Sequence, residues 1–243
     1  MAGMSMTPPH YVRDYRRWVT RLLDGQTDRD AAMARAVGGG DYHVVGEAER
    51  NALVALGLKP GDAVIDVGCG SGRLATALDR SGPSVRYLGT DVVPELVSYA
   101  RKRCAVRETW RFSVVNGLTI PQPDASADFI VFFSVFTHLR RNECLAYLKE
   151  AKRVVKPDGK VIVSYLDLSA APPSYLIRFL CSQAAYRIFG RGVKGVLSSE
   201  TGMRKLADLA GMGVEFVDSS IGQSLCTFTL QSVSSAAPNR MNS

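Results

Sequence analysis

Histidine and cysteine are scarce: three and five of them in 243 residues, with no C-x-x-C pair and no histidine at ligand spacing from a cysteine. Cysteines 69, 104, 144, 181 and 226 are odd in number and widely spread, so neither a disulfide framework nor a zinc site is expected, and a reducing compartment suits them. No metal is expected. Long apolar runs are also missing, for none approaches the ~18 residues that a spanning helix needs. MAGMSMTPPH has no apolar segment behind a basic one, so no secretory leader is expected and a cytoplasmic location is. The net charge of +7 is spread thinly along the chain, with no dense basic stripe, so nucleic acid is not an expected partner. Two basic clusters, Arg13/Arg16/Arg17/Arg21 and Arg101/Lys102/Arg103, read as solvated helix faces. No internal repeat is seen.

What the chain does have is alternation. In HYVRDYRRWVTRLLDG apolar residues recur at helical spacing, with Pro8 or Pro9 suited to the first turn and Gly25 to the end. Residues 26–45 hold a short helical candidate and then three glycines, read as a joint; EAERNALVALG reads as the next helix. From there strands at 63–67, 84–91, 112–116, 127–134 and 160–166 alternate with helices at 73–80, 94–104 and 142–155. This order predicts an α/β doubly wound, Rossmann-like, seven-stranded and mostly parallel sheet with helices on both faces. After the helix SETGMRKLADLAG, the runs 213–217 and 225–231 lie too close for a crossover and predict a terminal antiparallel hairpin. Three segments are expected: a helical cap over 1–45, the main domain over 46–231, and a flexible tail over 232–243. The insertion at 168–198 contains a helix whose Leu176, Ile177, Leu180, Cys181, Ala184, Ile188 and Phe189 share a face. That helix reads as packed on the domain, as an acceptor lid, or as a membrane-surface contact.

The chemistry centres on VIDVGCGSGRLA, residues 64–75. A dinucleotide fingerprint, G-x-G-x-x-G, would put glycine at 73, where Arg73 stands. Gly68, Gly70 and Gly72 follow Asp66, and Asp91 comes nineteen residues after the last glycine. This pattern resembles the nucleotide loop of the class I S-adenosylmethionine-dependent methyltransferases. YLGTDVVPELVSYAR, VVNGLTIPQPDASADFIVFFSVFTHL, LKEAKRVVKPDGKVIVS and the terminal hairpin are similar to further stations of that family, in order and over about residues 46–231.

The resemblance implies S-adenosylmethionine as cofactor, S-adenosylhomocysteine as product, and a cofactor site made of Asp66, Gly68, Cys69, Gly70, Gly72, Asp91, Val92, Asn116, Gly117 and Ser134. A helix N-terminus after Gly72 suits the carboxylate of the amino-acid tail, and the two oxygens of Asp91 suit the ribose hydroxyls. Asn116 replaces the family's commoner Asp opposite the adenine amino group, and its amide oxygen still accepts. SVFTH, residues 134–138, follows the fourth strand where an open α/β sheet binds ligands, which places the acceptor there. A hydroxyl acceptor needs its proton removed, and His138 is the candidate base, a packing role being its alternative. Tyr42, His43 and Arg140 are further acceptor-binding candidates. The expected activity is methyl transfer to a small-molecule acceptor with a hydroxyl, such as a sugar or other metabolite. Alternatives are a lipid-like, RNA or protein acceptor, an NAD-dependent oxidoreductase, and a non-catalytic cofactor-binding relative.

Overall fold

The computed structural model describes residues 9–38, 41–105, 107–189 and 192–231. The expected tail over 232–243, Pro8, and two of the three joint glycines lie outside them. Three helices lead the chain: α1 (His10–Asp24), α2 (Arg29–Ala36) and α3 (Tyr42–Ala55). Then follow β1 (Ala63–Val67), α4 (Arg73–Ser81), β2 (Arg86–Asp91), α5 (Pro94–Arg103), β3 (Arg111–Val114), β4 (Ala127–Phe132), α6 (Arg141–Val154) and β5 (Val155–Asp167). The chain continues through α7 (Pro173–Phe189), β6 (Leu197–Ser198), α8 (Glu200–Ala210), β7 (Met212–Val217) and β8 (Ser224–Leu230).

The sheet order is β3-β2-β1-β4-β5-β8-β7, with the two-residue β6 pairing the end of β5. Strands β1 to β5 pair in parallel, whereas β8 runs antiparallel to both β5 and β7, as the closely spaced terminal runs predict. Side-chain alternation separates two cores. Ile65, Ile130, Phe132, Val161 and Val163 face a layer closed by α6 and α8. Val64, Phe129, Val131 and Ile162 face the layer closed by α3, α4 and α5. Strand order reverses between β1 and β4, so a crevice opens beyond the carboxyl ends of β1, β2 and β4.

Three elements depart from the expected reading. Helix α3 begins at Tyr42 and runs across the expected boundary at 45/46, because the Asp41 carboxylate accepts from the His43 and Val44 amides and caps it there. Strand β5 starts at Val155, and the KPDG turn becomes a register shift between Ala127↔Val155 and Phe129↔Lys160. Helix α7 has the expected apolar stripe, but the stripe faces outward: Ile177, Leu180, Cys181, Ala184, Ile188 and Phe189 are exposed, and Leu176 is half-buried. The helix packs through Phe179, Gln183 and Tyr186 instead.

Candidate active site

The glycine turn sits at the end of β1 and is tied to its neighbour strand. The amides of Gly68 and Cys69 both donate to the Thr90 carbonyl, at 2.7 and 2.9 Å. Gly70 has φ +55°, a conformation that strains any side chain, and a Cβ there would meet Val37 Cγ1 at 2.3 Å. Gly68 is similar, with φ +76° and Val135 Cγ2 at 2.5 Å. The room these glycines leave is thus used by the protein's own roof and wall as well as by the backbone bend.

Asp91 closes the turn from below. Its Oδ2 accepts from the Gly70 amide and its Oδ1 from the Val93 amide, both at 2.9 Å. Each oxygen keeps a lone pair for another donor. Burial pushes this carboxyl up to about 6, and the two amide bonds oppose that rise. Asp66 is buried beside it and pushed up to about 7 by desolvation, while the Tyr87 hydroxyl donates to its Oδ2 at 2.5 Å.

The N-terminal helices form the roof. Arg73 donates to both Glu49 carboxylate oxygens, at 3.2 and 2.5 Å, and to the Val37 carbonyl at 3.0 Å, which pins α2 and α3 over the glycine turn. Ser71 Oγ donates to the Met33 carbonyl at 3.0 Å and strengthens the same seam. From α1, Tyr11 and Tyr15 enter the cleft one helical turn apart. Tyr11 Oη is buried and has no hydrogen-bond partner in the protein. Tyr15 stands edge-on to His138, ring centroids 5.1 Å apart.

His138 Nδ1 lies 2.7 Å from the Lys194 carbonyl. A carbonyl only accepts, so Nδ1 carries the proton and Nε2 is the basic nitrogen. Burial lowers the pKa of this ring, against the raising effect of the Lys194 bond, so the imidazole is neutral near pH 7. His138 lines both the main cleft and a second cavity beneath α7. Ser134, at the end of β4, is held at φ +58°; its amide donates to Ser164 Oγ and its Oγ accepts from Gln223 Nε2. Strain of this kind in a non-glycine residue marks a position the surroundings enforce.

The structure thus brings Asp66, Gly68, Cys69, Gly70, Asp91, Val92, Ser134 and His138 into one cleft of about 850 Å³, open solvent at its mouth included. Gly72 stands one residue on, as the left-handed cap of α4. Asn116 and Gly117 are not part of the lining. Asn116 is exposed and its Oδ1 accepts from Arg16 at 3.2 Å, while the Gly117 carbonyl accepts from Tyr147 Oη at 3.1 Å. Tyr42, His43 and Arg140 also stand outside it. Tyr42 Oη donates to the Ser71 carbonyl, His43 is exposed beside Arg80, and Arg140 caps α6. Sequence reasoning missed Glu49, Tyr11 and Tyr15; the i, i+4 tyrosines of α1 were its one available signal.

The cleft lies at the sheet's switch point, roofed by leading helices and floored by an acidic strand end, in a fold of the class I S-adenosylmethionine-dependent methyltransferase type. Residues 64–159 match the model of a methyltransferase domain family. The chain is 34% identical over 114 residues to a demethylmenaquinone methyltransferase of Tropheryma whipplei, covering 47% of this chain and 46% of that protein. It is 31% identical over 144 residues to a ubiquinone biosynthesis O-methyltransferase of Xanthomonas campestris, covering 58% and 56%. The chain thus spans about half the length of these relatives. An O-methyltransferase family 2 protein from Planctomyces limnophilus, solved with apigenin, shares the fold at a TM-score of 0.62 and 20% identity, over 90% of this chain and 62% of that one.

Proposed function

We propose that this protein moves the sulfonium methyl group of S-adenosylmethionine to a hydroxyl of a small-molecule acceptor. The observation that carries the reading is Asp91, fixed by two backbone amides at the cleft floor with a lone pair left on each oxygen. A ribose presents two adjacent hydroxyl donors, and that carboxylate suits both. Tyr11 Oη, buried without a partner, supplies a further polar contact, and Val92 and Leu96 an apolar face for a base. These residues fit a nucleoside with an amino-acid tail. The bound cofactor supplies an electrophilic methyl on a positively charged sulfur.

The chain's own residues then have two tasks. The cleft walls align the acceptor oxygen behind the methyl carbon, and orientation supplies much of the rate. His138 Nε2, kept basic by the Nδ1 bond to Lys194, takes the hydroxyl proton as the oxygen attacks. Held by Asp91 and the glycine turn, the cofactor would give up its methyl to the acceptor oxygen with the carbon–sulfur electrons retained by sulfur, and would leave as S-adenosylhomocysteine. An oxygen acceptor also agrees with the name of the Xanthomonas relative.

Calorimetry with S-adenosylhomocysteine tests the cofactor half. The wild-type chain should bind it, and Asp91→Ala should weaken binding by more than about tenfold, since two charge-assisted bonds are lost together. Equal affinity in the variant would remove Asp91 from the role.

A further inference from the structure

Helix α7 exposes what a packed helix would bury. Ile177, Leu180 and Ile188 are 63%, 64% and 70% exposed, and with Cys181 and Ala184 they form one continuous outward stripe. The helix is not free to turn this stripe inward. On its opposite face Tyr186 Oη donates to Asp14 of α1, Gln183 Oε1 accepts from the Gly195 amide at 2.8 Å, and Phe179 packs so tightly on Gly195 that a Cβ there would meet its ring at 2.6 Å.

Charge along the stripe is basic, whereas the acidic Asp167, Glu200 and Asp218 gather beside Tyr175 at the first turn of the helix and Asp14, paired with Arg13, lies under its inner face. Residues 168–199 contain four basic side chains and no acidic one. Arg178 and Arg187 are exposed on α7 itself, and Arg13 and Arg17 of α1 are exposed close enough to Tyr186 to act on its hydroxyl. An apolar stripe bordered by arginines matches a layer of hydrocarbon under anionic headgroups. A second copy of the chain would set arginines against arginines across the same face. No helix among the described residues is long and apolar enough to cross a membrane, so contact is with the surface.

Beneath α7 lies a cavity of about 780 Å³, open solvent at its mouth included, with Phe179 and Gln183 on its helix side, Leu166 at the end of β5, and His138 on the wall it shares with the main cleft. We infer that α7 docks its outer face on a bilayer bearing anionic phospholipid, and that the methyl acceptor is a lipid-soluble molecule passing from the bilayer through this cavity to His138. The second half rests on the methyl-transfer reading; the docking does not.

Flotation of the full chain with phosphatidylcholine vesicles, with and without phosphatidylglycerol as about a third of the lipid, tests it. Wild type should float with the anionic vesicles at low salt, and weakly with phosphatidylcholine alone. The double variant I177E/L180E should lose more than about tenfold of that partitioning, and R178E/R187E should lose its dependence on phosphatidylglycerol. Both should keep wild-type affinity for S-adenosylhomocysteine, which shows that they fold. Wild type that stays unbound, or I177E/L180E that still floats, overturns the proposal. So does a wild-type dimer in light scattering that I177E/L180E dissolves, for it gives the face to a second copy. Vesicle binding without S-adenosylhomocysteine binding would leave docking in place and overturn the acceptor route with the methyl-transfer reading.

Discussion

At the scale of residues, burial sets the protonation of the cleft. Asp91 and Asp66 are raised from an ordinary 3.8 to about 6 and about 7. The folded chain therefore holds more protons than the unfolded chain between pH 4 and 7. The stability these two groups contribute is complete below their unfolded value and is lost as pH rises through their folded values. A ligand that needs the ionised Asp91 reverses the preference. Affinity for S-adenosylhomocysteine should fall as pH drops below about 6, and the fall should vanish in Asp91→Asn; titration calorimetry across pH 5 to 8 reads both. His138→Ala should lower kcat by about 100-fold or more with cofactor affinity unchanged, and activity equal to wild type would return the ring to packing. The glycine turn was legible because its signature is one short run, and Asp91 because the resemblance expects an acid at the end of the next strand. Glu49, which meets Arg73 from twenty-four residues away, was not. Arg73 could be read only as a residue that a dinucleotide loop excludes; its work of holding the roof depends on a partner that periodicity does not name.

At the scale of elements, the roof is joined to the turn by the buried Arg73–Glu49 pair. Removing one partner strands the other charge away from water. Arg73→Ala should cost about 3 kcal/mol, a fall in Tm on the order of 10 °C for a chain of this length. The double change Arg73→Met with Glu49→Leu should recover much of the loss, and thermal denaturation of the three proteins checks the order. Gly70→Ala strains the turn and pushes Val37 away, so it should weaken cofactor binding by lifting α2. Strands β1 to β4 were visible in the sequence because their cores alternate on both faces and turns punctuate them. The α7 stripe was equally visible, yet its direction was not: periodicity reveals that apolar residues share a face, and only the bonds of Tyr186 and Gln183 on the far side decide which way it points.

At the scale of the whole molecule, the reversal of strand order beside β1 creates the crevice, the leading helices roof it, and α7 covers the neighbouring cavity that shares His138 with it. The parallel order and the reversed last strand followed from element spacing alone. The packing of α1 across β2 and α6, through Arg16 to Val92 and His10 to Glu143, depends on contacts between parts of the chain far apart in sequence. A ligand seated between roof and sheet joins them, so S-adenosylhomocysteine at about a hundred times its Kd should stabilise the fold by about 2.7 kcal/mol.

On the reading proposed above, the crevice holds one nucleoside with an amino-acid tail. Electron density from crystals grown with S-adenosylhomocysteine tests it most directly. The ribose hydroxyls should lie on the two Asp91 oxygens and the tail along the glycine turn beneath Val37; a ligand lodged elsewhere, or one whose ribose leaves Asp91 untouched, would overturn this assignment.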